Sequence, residues 1–313
     1  VGNVTCVRWV AEGQLASGGA DRTLCVTRGA LTGEHTTARV SLAAAVLSLD
    51  VDVGTGRLLV GCMDGTVSLF SLLAASPLRI QCWHSHMKYA HVVRWQPLSS
   101  LPLFASGSFD KTVCVYRATT TEDSPSHELY ETLQCGGAVE ALAWGGRALI
   151  AAVREDYRLH FFDHSTLARR TVNLNANGDE IHTFTVLALD ASPDQRWLAA
   201  HADKGFVLVI CLTTGAIVRR LHGPVGDGFN RPVQAWHLSG KYMYTSTAEV
   251  AGPLLVWDVA SEREIKQLCG HTALVRDLHQ HPGTKLLASC GFDKTIRIWR
   301  PPGAELGTLH SDA

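Results

Sequence analysis

An apolar residue, two spacers, a second apolar residue, one spacer and usually a third bulky residue recur seven times along the chain. The copies are Val4/Val7/Trp9, Val46/Leu49/Val51, Ala90/Val93/Trp95, Val139/Leu142/Trp144, Val186/Leu189/Ala191, Val233/Trp236/Leu238 and Val275/Leu278/Gln280. Their first residues are spaced by 42, 44, 49, 47, 47 and 42 positions. A second marker keeps step with the first: Asp21, Asp64, Asp110, Asp156, Asp203 and Asp293, missing only from the sixth unit. Each Asp follows a short apolar run with small residues, such as Leu15-Ala16-Ser17-Gly18-Gly19, and precedes an alternating stretch such as Thr295-Ile296-Arg297-Ile298-Trp299. The pattern predicts strand, tight turn at Asp, strand. Gly and Asp accept turn geometry, whereas β-branched and aromatic side chains suit a half-buried pleated surface. No stretch sustains a 3.6-residue apolar period, so long helices are not expected.

Four short strands cannot bury both of their faces alone, so such units must stack on one another. Seven copies without a polar capping repeat at either end predict a closed ring, an all-β, seven-bladed propeller of four-stranded antiparallel blades. The tail Glu305-Leu306-Gly307-Thr308-Leu309-His310 resembles Glu264-Ile265-Lys266-Gln267-Leu268-Cys269, the strand before the last repeat. It is therefore expected to supply the outer strand of the first unit, closing the ring by pairing of the N- and C-terminal strands without a frayed edge.

Composition narrows the partners. The chain has 313 residues, 46% hydrophobic and 18% charged, with 28 Lys+Arg against 29 Asp+Glu. This excludes a disordered tail and gives no global field to gather nucleic acid or anionic lipid. Apolar runs such as Phe206–Cys211 are far shorter than the roughly 20 residues of a membrane-spanning helix. The nine cysteines include no CxxC pair and mostly sit in apolar runs, which reads as buried reduced thiols in a cytoplasmic protein. The chain starts at Val1 without signal-peptide features and is read as one domain, residues 1–313, of a longer protein.

These repeats resemble the WD40 family of seven-bladed β-propellers. In the last unit Gly270-His271, Ser289, Asp293 and Trp299 match the family's hydrogen-bonded His, Ser, Asp and Trp, and His86, Ser106, Asp110 and Tyr116 match it in the third. Trp257-Asp258 and Phe162-Asp163 stand where the naming dipeptide belongs. The resemblance implies that these tetrads are structural, since pairing spares buried polar groups a cost of about 1–3 kcal/mol each. Units one, two, four and six lack a matching His, and the fifth has His182 and Asp203 but Ala199-Ala200 in place of Ser.

Other constellations carry less. His84, His86 and His91, and His271, His279 and His281, cluster in sequence, but without a Cys or carboxylate at ligand spacing they predict no metal site. No GxxxxGK[ST], GxSxG or GxGxxG is present, and no cofactor, catalytic residue or small-molecule substrate is expected. Arg169-Arg170 and Arg219-Arg220 read as solvated outer-strand edges, and Thr119–His127, with Ser124-Pro125, as a surface loop.

The family resemblance implies docking on the face formed by the turn before Asp and the loops leading into the innermost strands. Counting to that rim places Met63, Tyr89, His91, Phe109, Leu274, Arg276 and Phe292 there, on units seven, two and three. Aromatic and Arg groups at such positions are typical interface anchors. The expected function is a non-catalytic scaffold with an apolar groove for protein or peptide partners in a larger assembly. The alternatives are recognition of phosphoinositide or nucleic acid through a local basic patch, and an enzyme propeller.

Overall fold

Each repeat forms one antiparallel sheet of four consecutive strands, and seven such sheets make up the chain. The computed structural model describes residues 2–32, 34–97, 103–119, 126–175, 178–181, 183–223, 230–247 and 249–300, and the backbone of 304–310. His182, Ser124 and Pro125 lie outside the described residues. The innermost strands are Val4–Ala11, Val46–Asp52, Ala90–Trp95, Val139–Gly145, Val186–Ala191, Gln234–Trp236 and Val275–Gln280. Each packs beside the next, and the last packs beside the first. The result is an all-β, seven-bladed ring.

Burial follows from that stacking. Seven hydrophobic clusters lie one at each seam between neighbouring blades. Close approach there demands small side chains on the second strand of a blade. A Cβ on Gly18 would come within 2.3 Å of Val46, and one on Gly107 within 2.6 Å of Val139. The same register position holds Gly61 in blade two, Ala152 in blade four and Cys290 in blade seven. Blade five places His201 there, opposite Ala188.

Blade six is offset from its sequence reading. Trp257 Nε1 donates to Thr245 Oγ1 as Trp299 Nε1 does to Ser289 Oγ, and Thr245 pairs with Gln234 as Ser289 pairs with Leu278. Trp236 is thus the third residue of the sixth motif, not the second, and Val233/Trp236/Leu238 is two residues out of register. Arg231, rather than an apolar residue, falls at the motif's first position. Burial alone depresses the His201 pKa to about 3, so the ring is neutral in the fold. An unfolded imidazole titrates near 6.5, so stability is lost as pH falls below that value. Between pH 6 and pH 4.5 His201 alone should remove about 2 kcal/mol. Urea titrations of wild type and His201→Leu across that range check this, and equal pH slopes for the two proteins would refute it.

Closure differs from the expectation. Residues Ala304–His310 pair with Thr295–Arg300 as the outer strand of blade seven, and Thr36–Ser41 already completes blade one. The resemblance of the tail to Glu264–Cys269 was one of equivalent outer strands, each belonging to the blade of the strand just before it. Among the described residues no sheet joins the first and last blades. The seam is held by packing of Val4, Val7, Trp9 and Leu15 on Leu286, Ala288, Cys290, Ile296 and Ile298.

A polar clasp accompanies the packing. Each innermost strand has an unpaired edge facing the channel, whose N–H groups need acceptors. Side chains of the preceding blade provide them. Asp277 Oδ2 accepts from Val7 N at 3.0 Å and His279 Nδ1 from Trp9 N at 3.0 Å. Ser48 Oγ and Asp50 Oδ2 accept from Val93 N and Trp95 N at 3.1 and 2.6 Å. Asp190 Oδ2 accepts from Trp236 N at 3.0 Å. Of the nine free cysteines, Cys6, Cys62, Cys114, Cys135 and Cys290 are buried, while Cys82 and Cys269 are exposed.

Candidate functional site

The turn before Asp is the same in most blades, and its hydrogen bonds fix what stands on the rim. The residue before Asp donates its N–H to the carbonyl of the residue preceding the innermost strand: Ala20 to Asn3, Met63 to Ala45, Phe109 to Tyr89 and Phe292 to Leu274. The Asp carboxylate then accepts the N–H and hydroxyl of the Thr two residues on, as Asp21 does from Thr23, Asp64 from Thr66, Asp110 from Thr112 and Asp293 from Thr295. The other two blades that carry the Asp depart from this. Blade four carries one extra turn residue, Glu155, at φ +59°, so Arg154 rather than Glu155 makes the rim bond, to Ala138 O. In blade five Asp203 itself stands at the rim position, its N–H on Thr185 O and its carboxylate on Thr185 N, one residue early for a tetrad.

In blade seven His271 Nδ1 lies 2.7 Å from Asp293 Oδ2, His271 Nε2 lies 2.7 Å from Ser289 Oγ, and Trp299 Nε1 donates to Ser289 Oγ at 2.8 Å. In blade three the distances are 3.2 Å from His86 to Asp110, 2.7 Å from His86 to Ser106 and 3.3 Å from Ser106 to Tyr116. These chains run radially through the blades. The imidazole nitrogens are fully engaged, and the serine hydroxyl is buried at both places, so neither set presents a nucleophile to solvent. Blade four reaches a related solution that the repeat pattern does not reveal. His160 Nε2 pairs with Asp156 Oδ2 at 2.7 Å from within the blade's own third strand.

The rim residues fall into two groups. Phe109 lies 5.7 Å from the Tyr89 ring and 4.8 Å from the His91 ring, with the Arg154 guanidinium 5.6 Å above its centroid. Around it Met63, Met87 and Tyr89 are 45%, 92% and 39% exposed. Met87 escaped sequence counting because it lies in the loop leading to the strand, held by its N–H on Asp110 Oδ2 at 2.8 Å. The second group is on blade seven, where the Arg276 guanidinium covers the half-buried Phe292 ring at 5.1 Å, beside half-buried Leu274. Blade one separates the groups with exposed Ala20, Asp21 and Arg22, so apolar surface does not run unbroken from blade seven to blade two.

Inside the rim, His91 and Arg276 face a channel rich in charge. Arg231 donates through Nε to Leu187 O at 2.9 Å and also bonds Glu140 O and His91 Nε2. Burial, followed by Arg231, Arg276, Arg154 and Arg94, holds His91 well below its ordinary pKa. Glu140 pairs with Arg154 at 2.5 Å. Deeper, Arg8 pairs with Asp277 at 2.5 Å and Asp50 at 3.7 Å. Burial raises the Asp190 pKa to about 6 despite its bond from Trp236 N. The other clustered histidines have structural tasks, His279 on Trp9 N and His281 Nδ1 on the N–H groups of Gly283 and Thr284. On the outer strands, Arg169 contacts His160 and Arg219 pairs with Glu262 at 3.6 Å.

The family profile described as "WD domain, G-beta repeat" matches residues 1–27 and 262–300. The solved WD40 β-propeller domain of Doa1 superposes with a TM-score of 0.73 at 15% identity, covering 95% of this chain and 92% of that one. The chain is 26% identical over 162 residues to the Arabidopsis thaliana protein "Cell division cycle 20.1, cofactor of APC complex", which is 50% of this chain and 35% of that protein. It is 27% identical over 122 residues to the Schizosaccharomyces pombe "Meiotic fizzy-related protein 1", covering 39% and 28%. A segment of 35 residues is 54% identical to the Anopheles gambiae "Probable cytosolic iron-sulfur protein assembly protein Ciao1", 11% of this chain and 10% of that protein. The chain thus spans about a third or less of the length of these relatives.

Proposed function

We propose that this seven-bladed propeller of WD40 repeats is a non-catalytic scaffold that docks an extended segment of a protein partner on the rim of blades two and three. The observation that carries the reading is the exposed set of Met63, Met87 and Tyr89 around half-buried Phe109. Folding gains nothing from leaving such side chains in water, whereas interfaces draw most of their energy from a few aromatic and Arg anchors. Leu274, Arg276 and Phe292 form a smaller contact across blade one. The relatives whose printed names place them with a complex or an assembly process support a partner-binding role within a larger assembly, and the proposal places that assembly in the cytoplasm.

A peptide selected from a random display library against the intact chain is the probe. Phe109→Ala should weaken it by about 2 kcal/mol, roughly thirtyfold, in calorimetric titration. Affinity should change little between about 50 and about 200 mM salt, whereas a lipid-headgroup or nucleic-acid site would lose affinity steeply. A change under threefold in Phe109→Ala would overturn the docking site.

A further inference from the structure

Just below the rim the channel narrows to a cavity of about 100 Å³, space for a few water molecules. Its lining includes four arginines, Arg8, Arg94, Arg231 and Arg276, against a single carboxylate, Asp277. That carboxylate is already taken by Arg8 at 2.5 Å. Arg231 is fixed by the carbonyls of Leu187 and Glu140, which orient its charge without cancelling it. The nearest acid at the mouth, Glu140, is engaged by Arg154. Arg276 Nε is buried without a hydrogen-bond partner among the described residues. A buried donor without an acceptor costs about as much as a lost hydrogen bond, so the site is incomplete as it stands. Burial depresses the Arg231 pKa to about 10 against the opposing pull of the Glu140 carboxylate, and Arg276 adds to the depression, a strain that an added anion would relieve.

We propose that this mouth receives one carboxylate of the docked peptide, an Asp or Glu side chain inserted between Arg231 and Arg276. The inference rests on the docking reading above. A carboxylate on a slender methylene stem fits a cavity of this size, and a guanidinium presents it with a matching two-pronged donor face. Neutral His91, accepting from Arg231 through Nε2, holds that guanidinium without adding charge. The peptide's apolar residues then lie on Tyr89 and Phe109, directly beside His91.

Peptides enriched from a random display library on the wild-type chain should share one acidic residue at a fixed distance from an apolar one. Changing that residue to its amide should weaken binding at least tenfold. Arg276→Gln should weaken the parent peptide by the same factor and leave the amide peptide unaffected. Arg276→Lys, which keeps the charge and so the fold even should the Gln variant be destabilised, should also lose affinity through its missing fork. Enriched peptides without an acidic position, bound in a Phe109-dependent way, would overturn the carboxylate site and leave the docking surface standing. Equal losses for parent and amide peptides on Arg276→Gln, or tighter binding of a phosphoserine peptide, would also overturn it. Failure to enrich any peptide would overturn both readings.

Discussion

Replacing Arg8 by methionine is expected to lower the unfolding free energy by about 3–5 kcal/mol at pH 8, the cost of breaking a buried ion pair from one side. The guanidinium is 7% exposed and reaches Asp277 of blade seven at 2.5 Å and Asp50 of blade two at 3.7 Å. It therefore ties three blades together. Without it Asp277 retains the N–H groups of Val7 and Leu278, and Asp50 that of Trp95, but two carboxylates face a narrow channel with less cation nearby. Burial already holds the Asp50 pKa above the ordinary carboxylate range. Removing Arg8 pushes Asp50 further up, so in the variant the folded state binds protons more readily than the unfolded chain. Its deficit must then shrink as the pH is lowered towards 5. Urea titrations of wild type and variant at pH 8 and pH 5 provide the comparison. A loss under about 1 kcal/mol at pH 8 would mean that water in the channel compensates the acids fully.

Asp293→Ala is expected to cost about 3 kcal/mol, because one carboxylate satisfies four donors at once: His271 Nδ1, Thr272 N, Thr295 N and the Thr295 hydroxyl. Its loss also frees the His271 ring that orients Ser289 and, through it, Trp299. Asp21→Ala is the internal control. Asp21 makes similar turn bonds, to Gly2 N and Thr23, but at an exposed site with no histidine behind it, and should cost about 1 kcal/mol or less. If the two variants unfolded at the same urea concentration, the polar chain of blade seven would contribute nothing beyond its turn.

What could be read from the sequence was set by how a residue is packed. Innermost strands touch a neighbour on both sides, so their spacing is rigid, and Val4, Val46, Ala90, Val139, Val186 and Val275 were placed at the true first residues of their strands. Blade six misled because Val233 and Trp236 happen to have the expected spacing while the blade's register rests on Thr245 and Trp257. Outer strands such as Arg263–Leu268 carry little core, so nothing in their sequence distinguishes which blade they complete. Only the hairpin that joins them does. At the rim, the turn bonds explain why counting found Met63, Tyr89, Phe109 and Phe292 on one face. Arg231 and Arg154 were not found by counting to the rim. The first lies in a loop ahead of a misread strand and the second beside an inserted turn residue.

The join between the first and last blades, held among the described residues by side chains, makes this ring a split washer and not a hoop. Tension applied between its two ends should load that one gap first, shearing Trp9 past Ala288 and Arg8 off Asp277 before any backbone ladder has to unzip. In a mechanical stretching record the ring should therefore spring open at modest force and then surrender its blades one at a time.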